Sequence, residues 1–162
     1  MVSRIKMGSL VTLLFVSYFS RAQGNMPDCL NMQGQPINVD DQSVLGWKTS
    51  TRNGFTARAH IAGTISKIYR DSSGHHHWEA TIGANSSDTL EVIYDKAFGS
   101  VPTPQIGASV EACGDYITAN GGGRPSPDGG LIHWIHRSNS PRHPSGFLVI
   151  DGQLYGQNAP GH

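Results

Sequence analysis

Charge is scarce in this 162-residue chain, long apolar runs are nearly absent, and cysteine occurs only twice. Each shortage excludes something. At 15% charged residues with 37% hydrophobic ones, the composition is not that of a disordered, self-repelling chain. Only residues 7–19 are apolar over any length, and that run is shorter than the roughly 20 residues a membrane-spanning helix needs. There is no His-Glu-x-x-His helix, no Gly-x-Ser-x-Gly elbow, no phosphate loop and no Cys-x-x-Cys pair. Catalysis therefore carries no familiar signature along this chain.

What is present begins with the leader. Arg4 and Lys6 precede an apolar centre of Leu10, Val11, Leu13, Leu14, Phe15 and Val16, and Ser20-Arg21-Ala22 follows with small residues where a signal peptidase cleaves. Residues 1–22 are expected to be a secretory signal peptide. It would send the chain to the periplasm or the extracellular space, a choice such peptides do not encode. Its removal takes away Arg4, Lys6 and Arg21 and no acid, leaving nine bases against twelve acids, a net charge of −3 with His neutral. No membrane span is expected in the mature form. A negative net charge argues against a general nucleic-acid binder, which needs a broad basic field. Export favours oxidation, and Cys29 and Cys113 permit one disulfide that would staple the N-terminal segment to the body. Two buried thiols are the alternative.

The mature chain divides into a polar lead-in (23–53), a β-rich domain (54–156) and a short C-terminal tail (157–162). A helix is expected from Asp41 to Lys48 with an Asp cap and Val44, Leu45 and Trp47 docking. Strand patterns follow. Ala57, Ala59, Ile61, Gly63 and Ile65 alternate with polar residues, and the period slips at Lys67-Ile68-Tyr69, as at a bulge. Asp71-Ser72-Ser73-Gly74 turns the chain. Trp78, Ala80 and Ile82 mark a second strand, and Leu90, Val92 and Tyr94 a third. Pro102 and Pro104 disfavour a helix between 96 and 106. Gly107 opens a fourth strand, 119–130 is a glycine-rich loop, 131–136 reads as a fifth strand, and Asp151-Gly152 joins a closing hairpin. The fold class is all-β, a small OB-like barrel of five to six strands, with an open sandwich as the alternative.

The densest chemistry lies between 131 and 144, with His133, Trp134, His136, Arg137, Arg142 and His143 and no acid. Arg offers forked donors and His a donor tuned near neutral pH, so the stretch suits an anionic small molecule or oligomer. Trp134 and a His packed in the barrel are the structural alternative. Residues three apart on a regular strand face opposite ways, which weakens His133 and His136 as shared metal ligands. No cofactor is required, although zinc or another divalent ion held by His77, His133, His136 and His143 remains open. His75-His76-His77 opens the second strand, where His77 shares a face with Glu79, either as a ligand and general-base pair or as an ordinary cross-face hydrogen bond. His75 and His76 read as bystanders. His60 would lie beside His77 if strands one and two pair along that length. A hydrolase would draw its acid–base group from His77, His133, His136 or His143, oriented by Glu79 or Asp115.

Gly130-x-x-His133-Trp134-x-His136, then Arg142-His143-Pro144-Ser145-Gly146 and Asp151-Gly152-x-x-Tyr155, resembles a family of exported bacterial domains of unknown function. That family carries a Gly-x-[Ile/Val]-His-Trp-x-His run, an Arg-His-x-x-Gly element, a His at a strand start matching His77, and a Gly-x-x-Val element matching Gly107 to Val110. The likeness covers about residues 54–156 and implies an OB-like fold, without an activity. Where the family continues with a second His and Asp-Pro, this chain has Arg137, Ser138 and Asn139. The expected function is anion binding at a His/Arg/Trp rim by an exported module. The alternatives are a His-dependent or metal-assisted phosphodiesterase-like hydrolase and a structural envelope protein.

Overall fold

A computed structural model describes residues 26–123 and 125–159. The expected signal peptide and His162 lie outside the described residues. Helix α1 (Asp41–Ser50) is followed by β1 (Thr56–Ile68), β2 (His75–Thr81), β3 (Thr89–Asp95), a 3₁₀ turn (Lys96–Phe98), β4 (Ser109–Thr118), β5 (Gly130–His133), β6 (Phe147–Ile150) and β7 (Gln153–Tyr155). The barrel closes in the order β1-β2-β3-β5-β4 and back to β1. Every pairing in it is antiparallel except β3 with β5, which is parallel and only two residue pairs long, Glu91 with Leu131 and Val92 with Ile132. This five-strand closure removes the exposed sheet edge, and β6 and β7 extend the sheet beyond it.

The alternation read from the sequence is the alternation that packs. Ile61, Ile65, Trp78, Ala80, Leu90, Val92 and Tyr94 are all at most 1% exposed and fill the interior with Tyr116, Ile132 and Leu148. The bulge in β1 falls between Ile65 and Lys67. It turns Ser66 onto the outer face, where its hydroxyl donates to Glu79. Helix α1 starts where the Asp40 carboxylate accepts from the Ser43 amide at 3.0 Å. It buries Val44 and rests Trp47 against Phe55 and Tyr116, ring centroids 5.9 and 5.5 Å apart.

One edge of β4 serves two partners. Residues 110–113 pair with β6 and residues 115–118 with β5. The changeover is Gly114, where a Cβ would lie 2.3 Å from the His133 carbonyl oxygen. The β6–β7 hairpin turns on Asp151 (φ 49°) and Gly152 (φ 79°), the two left-handed residues a tight hairpin requires. Cys29 and Cys113 form a disulfide across a separation of 84 residues. It fixes the lead-in to β4 beside β6. No helix among the described residues is long and apolar enough to cross a membrane.

The fifth strand is shorter than its sequence pattern predicts. It ends at His133 rather than His136, because Trp134 takes φ +59° and swings the chain out of the sheet.

Candidate functional site

The outer face of β2 and β3 follows from their pleat. With Trp78 and Ala80 inside, His75, His77 and Glu79 must face out, and with Leu90, Val92 and Tyr94 inside, Glu91 and Ile93 do so too. The β1–β2 turn (69–74) rises at one side of this face and the β4–β5 loop (119–129) at the other. Together they enclose a groove of about 470 Å³ whose polar lining comes from Arg70, Ser72, His75, His77, Glu91 and His133. In OB-type barrels this face, with these two loops, is where ligands lie.

Within the groove the side chains are hydrogen-bonded in a defined order. His77 Nδ1 is 2.8 Å from Glu91 Oε1, and its Nε2 is 3.0 Å from the Ser72 hydroxyl. Glu91 is 6% exposed, so its carboxylate is held mostly by this contact. His75 Nδ1 meets the Ser73 carbonyl at 2.8 Å. Arg70 is exposed and makes no side-chain hydrogen bond or ion pair among the described residues.

The rings continue beyond the groove. Centroids step from His77 to His75 (6.3 Å), to His133 (5.2 Å), to Trp134 (6.3 Å) and on to His143 (4.9 Å). Trp134 is 41% exposed and is the only exposed tryptophan, since Trp78 is buried and Trp47 partly so. Its left-handed backbone is costly for a bulky residue, by ~1–2 kcal/mol. Glycines make that conformation fit. A Cβ at Gly146 would lie 2.2 Å from the Trp134 carbonyl oxygen, and one at Gly156 would lie 2.7 Å from that of Ile135. With Gly114, three glycines thus cradle the segment 133–136.

Two histidines here are pushed toward the neutral form. Burial, reinforced by the neighbouring His75 and His136, pushes the His133 imidazole down to about 4. Its Nε2 is buried with no hydrogen-bond partner among the described residues. Burial also lowers His136, which is 6% exposed and stacks on Phe98 with centroids 3.5 Å apart.

No protein-family model matches this chain, and no curated protein does.

The region 131–144 lacks acids along the chain but not in space. Asp115 on β4 reaches His143 Nε2 at 2.7 Å and Arg58 at 3.1 Å, and the Arg58 guanidinium also donates to the carbonyls of Leu30 and Ser145. Glu91 meets His77, and Asp95 comes within 4.0 Å of His75. The island is therefore a ring-lined surface with paired charges, in which Arg70, Arg137 and Arg142 are the exposed cations.

His77 does not pair with Glu79 as its position on the strand suggests. Strand partners take over: His77 bonds diagonally to Glu91, while Glu79 accepts from Ser66 and Tyr69, each at 2.8 Å. Tyr69 Oη also lies 3.0 Å from Asp128 of the β4–β5 loop. Burial raises the Asp128 carboxyl, whereas at Glu79 burial is opposed by hydrogen bonds with Ser66, Tyr69 and Asp128 and by the charge of Lys67, which together lower it. This cluster ties the loop to the end of β1 as one groove wall.

His60 is not beside His77. It stands opposite Cys113 on β4, between Glu111 and the Ile37 carbonyl, because β2 pairs only with the last part of β1. Among the described residues no group of three or more His, Cys, Asp or Glu is arranged to hold a metal ion. Sequence reasoning passed over Arg70, Ser72 and Glu91 and set His75 aside. Only the turn dipeptides and the β2–β3 alternation hinted at their meeting.

Proposed function

We propose that this domain is an exported OB-like module that binds an anionic ligand, a nucleotide, oligonucleotide or acidic saccharide, along the β2–β3 groove and over Trp134. The observation that carries this reading is the continuous run of rings from His77 to Trp134 beside the guanidinium of Arg70, which is unpaired among the described residues. Flat faces stack on Trp134, and the cations Arg70, Arg137 and Arg142 attract the charge. The disulfide fits an exported protein. His136, packed on Phe98, behaves as the structural reading expects, but the exposure of Trp134 favours a binding surface.

The test is a titration of the purified protein with a short single-stranded oligonucleotide and with an oligouronate, followed by tryptophan fluorescence at two salt concentrations. One of the two is expected to quench the signal, and Arg70→Ala to weaken it about tenfold, as for one charge-assisted contact of ~1.5 kcal/mol. Unchanged fluorescence with both ligands at low salt would rule the reading out.

A further inference from the structure

We propose that Ser72, His77 and Glu91 form a nucleophile–base–carboxylate triad, and that the groove hydrolyses a carboxylic ester. This inference shares the groove with the binding role but does not depend on the ligand being an anion.

The geometry is that of an activated hydroxyl. The Glu91 carboxylate can only accept, so His77 Nδ1 carries the proton across the 2.8 Å contact. In the neutral ring that leaves the Nε2 lone pair facing the Ser72 hydroxyl at 3.0 Å. Those are the two contacts a general base needs: one to the nucleophile and one to a group that fixes its tautomer. Glu91 is buried and Ser72 is exposed, so the orienting group is shielded while the nucleophile is accessible.

The other carboxylate-paired histidines lack this arrangement. His60, His75 and His143 each direct the second ring nitrogen to a backbone carbonyl, of Ile37, Ser73 and Pro144 respectively, and His76 meets Asp71 without a hydroxyl on its other nitrogen among the described residues. Among the described residues His77 is the one histidine that presents a ring nitrogen to a hydroxyl.

The turn supplies a further element. Ser73 (φ 51°) and Gly74 (φ 79°) are consecutive left-handed residues between the two backbone hydrogen bonds that join Ser72 and His75. Neither the Ser73 nor the Gly74 N–H has an acceptor among the described residues. Successive free amides in a left-handed turn are donors suited to an oxyanion, and the first belongs to the residue after the nucleophile.

In the reaction, Ser72 Oγ attacks the ester carbonyl carbon as its proton passes to His77 Nε2. The carbon–oxygen bond to the alcohol breaks, and His77 returns the proton to the departing alkoxide. Water then attacks the acyl-Ser72 carbonyl, giving its proton to His77. Collapse of that intermediate breaks the bond to Ser72, whose oxygen regains the proton, and releases the carboxylic acid. Water is the one co-reactant, and no change of oxidation state occurs.

The experiment pairs covalent labelling with turnover. Purified protein is treated with a fluorophosphonate probe, digested and analysed by mass spectrometry, and p-nitrophenyl acetate hydrolysis is measured in parallel. The adduct is expected on the peptide containing Ser72. Ser72→Ala and His77→Gln should lose it, and Ser72→Ala should lower turnover at least about 100-fold. Ser72→Cys should remain acylated by the ester, and Ser87→Ala, an exposed serine elsewhere, should behave as wild type. No adduct, an adduct on another serine, or wild-type turnover in Ser72→Ala would overturn the assignment. Titration of the wild-type protein with the oligonucleotide and the oligouronate, read by tryptophan fluorescence, reports the binding role without any change at Ser72, so loss of the binding role and loss of the triad give different results.

Discussion

Trp134 offers the sharpest joint test of backbone and function, because one residue carries both a strained conformation and the largest exposed ring. Two replacements separate the effects. Trp134→Ala removes the ring and keeps a Cβ at φ +59°. Trp134→Gly removes both. With 41% of the residue exposed and ~250 Å² for a full tryptophan side chain, roughly 100 Å² is open to a ligand, worth at most about 2.5 kcal/mol at ~25 cal/mol/Å². Partial cover halves that, so either variant should bind about 8- to 70-fold more weakly. Stability should divide them the other way. Relief of the left-handed Cβ is worth ~1–2 kcal/mol and the added freedom of unfolded glycine costs ~0.5–1 kcal/mol, so Gly should exceed Ala by about 0.5–1 kcal/mol, or roughly 2–4 °C in Tm. Thermal unfolding and fluorescence titration of the two variants measure both. Equal stability of Ala and Gly would refute the strained turn, and unchanged affinity would remove Trp134 from the binding surface.

Gly146→Ala should destabilise by about 2–3 kcal/mol in denaturant melts, because the new methyl group meets carbonyl oxygens of Trp134 and Cys113 at 2.2 and 2.4 Å rather than a movable side chain. The pH dependence should carry the mark of His133. Its folded value of about 4 lies below the ordinary histidine value of 6.5. Its contribution is thus complete above pH 6.5 and is lost as pH falls toward 4, because the unfolded chain takes up a proton that the folded one refuses. His133→Gln should flatten the stability curve in that window, and an unaltered slope would mean the ring is solvated. Reduction of the Cys29–Cys113 bond, which spans 84 residues, should lower unfolding free energy by about 2–4 kcal/mol, read as a drop in Tm with and without reductant.

Much of the barrel was legible because its signals are local. Ala59, Ile61 and Ile65 alternate within one strand, Asp151-Gly152 names its own turn, and two cysteines admit one bridge. The end of β5 was not, since Leu131 to His136 keeps a strand-like composition and nothing nearby forbids continuation. The break at Trp134 fits only because Gly114, Gly146 and Gly156, from three distant places in the chain, leave room for it. The site was half legible for the same reason. His77, His133 and Trp134 stand out by type, but Glu91 reads as an ordinary outward strand residue until the β2–β3 register sets it diagonally against His77. The lack of acid near His143 held only along the chain, because β4 delivers Asp115 from the side.

The two-pair junction of β3 with β5 has a dynamic consequence. A cylinder closed by so brief a weld opens there first, and the groove straddles it: His77 and Glu91 lie on one bank and His133 on the other. An occupant touching both banks would clamp the weld shut. Amide exchange at Val92 and Ile132 should then slow on ligand addition more than exchange along the long β1–β4 pairing, which needs no clamp.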